Sequence, residues 1–335
     1  MTLVRGTDAY DGSVDMVAVA QRIADEVLFP AALGTDASDV VPRELLDALA
    51  GAGLYGVGTE SDFRRVCAVQ EALASGCLTT AFIWAQHLGL VHALASGGDT
   101  DARSKWLGPL AAGEIRAGVG LGGAQPKPTL YVQPVGHGWL LDGVSPFVSG
   151  WGRIEVIHVA ARGPDDQVVW LIVDAAEGPS LQTERLALAA LNATATVRAT
   201  FSKLLVTADR VTGQHPAGGG APPEVLRLHA ALALGVADRC CRLLGRTSLD
   251  SELDSLRAEL DELGPGTAKA RAAAGQFAMR AAAALMTSEG SRSLLVADHA
   301  QRLLREAMFT LVYALRPASR AAVLASLGAP ESAQR

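Results

Sequence analysis

With 335 residues, 49% of them hydrophobic and 19% charged, the chain carries enough apolar material for a substantial core in two or three structural layers. A formal net charge of -6 and the absence of any long Lys or Arg run give no electrostatic reason to dock on a phosphate backbone or an anionic membrane, which argues against nucleic acid and membrane partners. The opening "MTLVRGTDAYDGSVDMV" has no basic segment followed by an apolar one, and no uncharged apolar run approaches the length of a bilayer span, so a cytoplasmic location is expected.

Residues 15 to 116 alternate helical patterns with short breaks: "DMVAVAQRIADEVLFPAAL", "PRELLDALAGAGL", "DFRRVCAVQEALASGC", "TTAFIWAQHLGLVHALAS" and "DARSKWLGPLAAG". Each has apolar residues at three- and four-residue steps, and Pro30, Gly53, Gly76, Gly97 and Gly98 stand in the breaks. From 117 to 213 the period falls to two in "LYVQPVGHGWLLDG", "IEVIHVAARGPDDQVVWLIVD" and "ATVRATFSKLLVT", with hairpin signals at 136–138 and 163–166. The Gly/Pro connector "PAGGGAPPE" follows. Helical patterning then returns in "VLRLHAALALGVADRCCRLLG", "DSELDSLRAELDEL", "GTAKARAAAGQFAMRAAAALMTSEG" and "RLLREAMFTLVYALR". The expected architecture is α+β: an N-terminal helical domain over 1–116, a middle antiparallel, barrel-like β-domain over 117–213 and a C-terminal helical bundle over 214–335. Cys67, Cys77, Cys240 and Cys241 show no CxxC or Cys/His ligand spacing and are expected as small buried hydrophobes, with no metal site.

Four segments, "GGDTDARSKWLGPLAAGEIRAGVGLGG", "GWLLDGVSPFVSGWGRIEVIHVAA", "TATVRATFSKLLVTADRVTG" and "HAQRLLREAMFTLVYALR", lie in the order in which the acyl-CoA dehydrogenase family of flavoproteins carries its motifs, and the chain resembles that family from about 90 to about 316. The resemblance implies FAD between the β-domain and the C-terminal helices, with an acyl thioester, on CoA or a carrier protein, against its face. It also implies a homo-oligomer or pairing with a paralogous subunit. In the family a carboxylate takes the α-proton while a hydride leaves the β-carbon for the flavin, which requires a base within hydrogen-bond reach and an oriented ring.

Residue by residue, the resemblance sets Phe147, Val148 and Ser149 on the segment that packs an aromatic against the isoalloxazine and brings a hydroxyl near its reactive nitrogen. Gly120, Leu121 and Gly122 stand at the strand end that meets the flavin pyrimidine, where only backbone contacts survive. "VGLGGAQPKP" is no dinucleotide loop, because Pro126 and Pro128 forbid the helix such a loop must open. The family's Arg-x-x-Phe-Gly phosphate contact has no counterpart after "ALGVADRCCRLLGR"; Arg292 is either a replacement cation or a surface Arg capping a loop. On the last helix, Tyr313 falls on the aromatic beside the flavin and Ala314 on the catalytic carboxylate, so the usual base is missing. Glu224 is either a relocated base or a solvated Glu favoured at a helix start. Arg227 and Ala314 are placed beside the substrate. His87 either lines the acyl tail or only packs, and His299 is expected on the surface at a helix start. Three functions are open: an acyl-CoA dehydrogenase-like FAD oxidoreductase without its usual base, a flavin monooxygenase on the same scaffold, and a non-catalytic or half-site partner subunit.

Overall fold

The computed structural model describes residues 15–98, 100–218, 221–245, 247–315 and 317–329. The chain opens with α1 (Met16–Ile23), whose N-cap Asp15 accepts from the Val17 and Ala18 amides. It runs through a π turn at Ala24–Leu28 into α2 (Phe29–Asp36) without a break. Pro30 therefore does not stop the helix: in the widened turn Phe29 N–H donates to Ala24 O, an i to i−5 bond that relieves the crowding a proline ring imposes on regular α geometry. Next come α3 (Arg43–Gly51), α4 (Phe63–Gly76), α5 (Leu78–Ser96) and α6 (Asp101–Ala111).

Eight strands follow: β1 (Ala117–Gly120), β2 (Leu130–Val135), β3 (Gly138–Val148), β4 (Val156–Arg162), β5 (Gln167–Asp174), β6 (Leu181–Arg185), β7 (Val197–Thr207) and β8 (Val211–Pro216). The expected hairpins form at 136–137 and 163–166, where Gly136, Asp165 and Asp166 take positive φ. The sheet runs β6-β7-β3-β2-β4-β5-β8 and is open, not a barrel. Its short outer strands, "LQTER" and "VTGQHP", are largely exposed and polar, a composition suited to an edge that stays unpaired. It is also not purely antiparallel, because β1 lies parallel to β4. That is what a strand entering from a helix beside the sheet produces.

The C-terminal region holds α7 (Pro223–Leu244), α8 (Ser248–Asp261), α9 (Thr267–Glu289), α10 (His299–Val312) and α11 (Pro317–Ser326). The segment read as a helix to 316 ends at Val312, and α11 was not anticipated. One hydrophobic core runs through both helical regions, from Met16 to Leu88 and on through Ala230, Phe277 and Leu303. A second core fills the sheet, and a third joins α5 and α6 to β1, β4 and β5. Helix α5 belongs to two of the three; its first half is buried nearly all round, and Gly89, His92 and Ser96 bring one side of its second half to the surface.

Helices α4 and α7 pack tightly at Gly235, where an added Cβ would lie 2.7 Å from Ala74 Cβ and against the Glu71 carbonyl. Gly235→Ala is expected to destabilise by about 1–3 kcal/mol through overpacking. Gly34→Ala, in the exposed helix interior of α2 with nothing within 4 Å, should be neutral or stabilise by about 0.5–1 kcal/mol. Urea unfolding of the two variants checks the contrast.

Candidate functional site

The end of β3 is shaped by a bulge. Ser145 pairs with Ala199 and Val148 with Val197, so β3 spends one more residue than β7 across Pro146 and Phe147. Both flanking side chains, Ser145 and Val148, are fully buried, and Val148 packs in the sheet core. The bulge re-aims the residue between them: Phe147 stands 62% exposed. Two residues on, Ser149 is nearly buried, and its hydroxyl lies 2.8 Å from Thr196 Oγ1, which lies 2.8 Å from Thr194 Oγ1. An open aromatic face beside an oriented hydroxyl is thus built at one point of the sheet. Gly120 backs onto this strand, where a Cβ would come to 3.0 Å from Ser145 Oγ. Leu121 is half-buried. At Gly122 a Cβ would come to 2.8 Å from Leu130 Cβ, so sheet packing alone accounts for glycine there.

The second part of the site is the end of α10. Tyr313 has left the helix (φ -66°, ψ 135°), and Ala314 takes the left-handed conformation, φ 51°. The Tyr313 ring is edge-on to Phe82 at 5.0 Å and to His229 at 5.2 Å, and it stacks on Phe309 at 5.3 Å. Gln86 Nε2 donates to its hydroxyl at 3.2 Å, and burial pushes that hydroxyl's pKa up. Arg271, from α9, donates through one Nη to both Thr310 O and Tyr313 O at 2.8 Å, placing a cation at the negative end of α10. Burial pulls its pKa down to about 10, and its other Nη has no protein acceptor among the described residues. Helix α5 connects the two parts: Phe82 and Gln86, four apart, meet Tyr313, while Ile83 lies against Gly150, where an added Cβ would come to 3.4 Å from Ile83 Cγ2.

Other candidates lie elsewhere. His87 is fully enclosed and both nitrogens are engaged: Nδ1 accepts from Ala117 N–H at 3.0 Å, so Nε2 carries the proton and donates to Leu110 O at 3.1 Å. Both nitrogens are thus held by the backbone. Arg227 is buried towards α4 and α8, with Nε 2.7 Å from Asp261 Oδ1 and a second contact to Glu71 at 4.0 Å, and so does not present its charge to a substrate. The Arg292 side chain is 81% exposed, 3.7 Å from Asp298. Glu224 is exposed in the first turn of α7. His299 is not on the surface but half-buried, stacked on Phe29 at 4.1 Å between their ring centres. Phe82, Gln86, His229, Thr194 and Thr196 were missed; only the four-residue step from Phe82 to Gln86 gave any sign. Two open grooves, of about 430 Å³ beside Tyr131 and Arg162 and about 260 Å³ beside Thr100 and Asp209, touch none of these side chains.

Residues 13–114 match the family model of the acyl-CoA dehydrogenase N-terminal domain. That match covers the N-terminal helical region, and the whole chain shares the acyl-CoA dehydrogenase fold. The chain is similar to a glutaryl-CoA dehydrogenase in complex with glutaryl-CoA (TM-score 0.79, 16% identity, 99% of each chain covered). It is also similar to a glutaryl-CoA dehydrogenase from Mycobacterium smegmatis in complex with FADH2 (0.75, 16%, 96% of this chain and 95% of that one). A third likeness is to dibenzothiophene monooxygenase from Paenibacillus sp. A11-2 (0.75, 15%, 93% and 97%). No curated protein sequence matches the chain. The end of β3 fits the flavin that the sequence resemblance implies: Phe147 offers an apolar face held out by a bulge, and Ser149 a hydroxyl two residues on.

Two outcomes follow from this geometry. Phe147→Ala is expected to weaken FAD binding without loss of fold, since the ring is mostly exposed; equilibrium titration of protein absorbance and circular dichroism measure the two. Burial depresses the pKa of His87 to about 3, so its contribution to stability is complete above its unfolded value near 6.5 and is lost as pH falls towards 3. Each such histidine removes about 1.4 kcal/mol per pH unit in that window, and His158, also near 3 through burial, acts with it. His87→Gln should flatten the fall in unfolding free energy between pH 6 and 4.5 by one histidine's share.

Proposed function

We propose that the chain is an FAD-dependent oxidoreductase of the acyl-CoA dehydrogenase type that acts on an acyl thioester, with the position of the usual base vacant at Ala314. The observation that carries this reading is the end of α10. Tyr313 is surrounded by Phe82, His229, Phe309, Gln86 and the Arg271 guanidinium, and none of these is a carboxylate. When bound, FAD supplies the electron acceptor for oxidation of the carbon chain. The protein's own share is orientation: Phe147 covers one face of the ring, Ser149 meets its edge, and Tyr313 with Gln86 limits the space beside α5. Gly120, Leu121 and Gly122 contribute backbone only. Glu224, at the solvent-facing start of α7, is the one relocated base that the sequence suggests. A second reading, an oxygen-using flavin monooxygenase, draws support from the same aromatic surroundings and from the shared fold with dibenzothiophene monooxygenase. Assembly as a homo-oligomer or with a paralogous subunit is part of the proposal.

Slow or absent single-turnover bleaching of the bound flavin by a short acyl-CoA is expected for the wild type. A positioned base is worth about 10² to 10⁴ in rate, and Tyr313, whose hydroxyl pKa burial pushes up, does not replace it at neutral pH. Ala314→Glu should restore bleaching, because the new carboxylate stands next to the peptide whose carbonyl Arg271 holds. Rapid wild-type bleaching abolished by Glu224→Gln would assign the base to α7. Rapid bleaching indifferent to that change would overturn the vacant-site reading, and oxygen uptake with a reduced flavin and an aromatic substrate would favour the monooxygenase.

A further inference from the structure

The hydroxyl at the end of β3 has its proton committed. Thr194 Oγ1 donates to Leu191 O at 2.7 Å, and Thr194 N–H holds the same carbonyl at 3.0 Å. A hydroxyl has one proton, so in the 2.8 Å contact with Thr196 it is Thr196 that donates, and in the 2.8 Å contact between Thr196 and Ser149 it is Ser149 that donates. Thr194, Thr196 and Ser149 are 1%, 3% and 8% exposed, so bulk water does not compete for these bonds. The chain of three hydroxyls points inward and ends on a carbonyl. Ser149 therefore offers only lone pairs to whatever meets it from outside.

We propose that this relay makes Ser149 an acceptor towards the edge of a bound flavin, so that the protein holds reduced FAD more tightly than oxidised FAD. The proposal rests on the FAD reading above. The ring nitrogen N5 is a bare acceptor in oxidised flavin and carries a hydrogen, which it can donate, after two-electron reduction. Reduced flavin gains a bond to Ser149 with the relay left intact. Oxidised flavin gains one only at the cost of a relay bond: either Ser149 lets go of Thr196, or all three hydroxyls reverse and the Thr194 to Leu191 bond is given up. Thr194 and Thr196 are positioning residues: they set the direction in which Ser149 can hydrogen-bond.

The test is the binding of oxidised FAD and, anaerobically, of dithionite-reduced FAD to the full chain, together with the midpoint potential of the bound flavin. One hydrogen bond corresponds to about a tenfold change in the ratio of the two dissociation constants, which for a two-electron couple is about 30 mV. Thr196→Val leaves Ser149 free to donate outward and is expected to lower the ratio about tenfold and the potential by about 30 mV. Thr196→Ser, which keeps the relay, should retain the wild-type values. Thr194→Val releases Thr196 to donate to Ser149 and should match Thr196→Val, which makes it the substitute variant if Thr196→Val fails to fold. Unchanged ratio and potential in a folded valine variant that binds FAD would overturn the relay and leave the FAD reading standing. Failure of the wild type to bind either form would sink both.

Discussion

The position of every part of the site depends on an uncharged histidine. His87 can take the Ala117 amide and give its proton to the Leu110 carbonyl only as the neutral imidazole, because an imidazolium has no lone pair to accept with. These two bonds pin the end of α6 and the first residue of β1 to the middle of α5. The helix thus aligns the sheet with the bundle, and Ile83 on the same face as His87, with Phe82 and Gln86 further round the helix, is set by the same anchor. A charge on His87 would have to be accommodated where Tyr55 packs edge-on at 4.8 Å and Arg116 lies nearby. Burial and the neighbouring cation therefore act in the same direction, both against protonation.

The two halves of the site differ in how they are held. The β3 end is held by hydrogen bonds of fixed direction and a bulge, which orient side chains closely at little packing cost. At the α10 end, aromatic packing and one buried guanidinium do the holding: Arg271 occupies helix carbonyls that would otherwise be left without donors past Val312. Arg305, earlier on the same helix, spends its charge on Asp36 at 2.9 Å, and Arg302 pairs with Glu306 at 2.5 Å inside the bundle. The charges of α10 thus serve to seat the helix, and its last turn is left apolar and aromatic.

Much of this was legible in the sequence because it depends on periodicity. The helices over α3 to α10 and the hairpins around Gly136 and Gly163 follow from apolar spacing and turn residues, and the helix-sheet-helix order led to the correct fold family. What periodicity does not encode was missed. The open edges of the sheet depend on where β6 and β8 find partners, and that is tertiary information. The passage of Pro30 through a helix depends on a π turn, which has no composition signal. The resemblance left His87 open between packing and the acyl tail and set Arg227 beside the substrate; their actual partners, the Leu110 and Ala117 backbone and Asp261, are distant in sequence or carry no motif. The hydroxyl relay joins a strand end to the Thr194-Ala-Thr196 turn, a juxtaposition that appears only after β3 and β7 have paired.

The single core shared by the two helical regions has a consequence for how the protein is made. Gln70 of α4 donates to Leu228 O of α7, groups 158 residues apart in the chain, and the sheet is synthesised between them. At ribosomal speeds of about 5 to 20 residues per second, α4 leaves the exit tunnel roughly 10 to 30 s before the helix it packs on exists. During that interval the α4 side bearing Gln70, Glu71 and Ala74 lacks its α7 partner, and such non-local closure is slow even once the whole chain is available. The order of synthesis thus leaves this seam, with its buried Gln70 and Glu71, open to water and to chaperones on the nascent chain until α7 arrives.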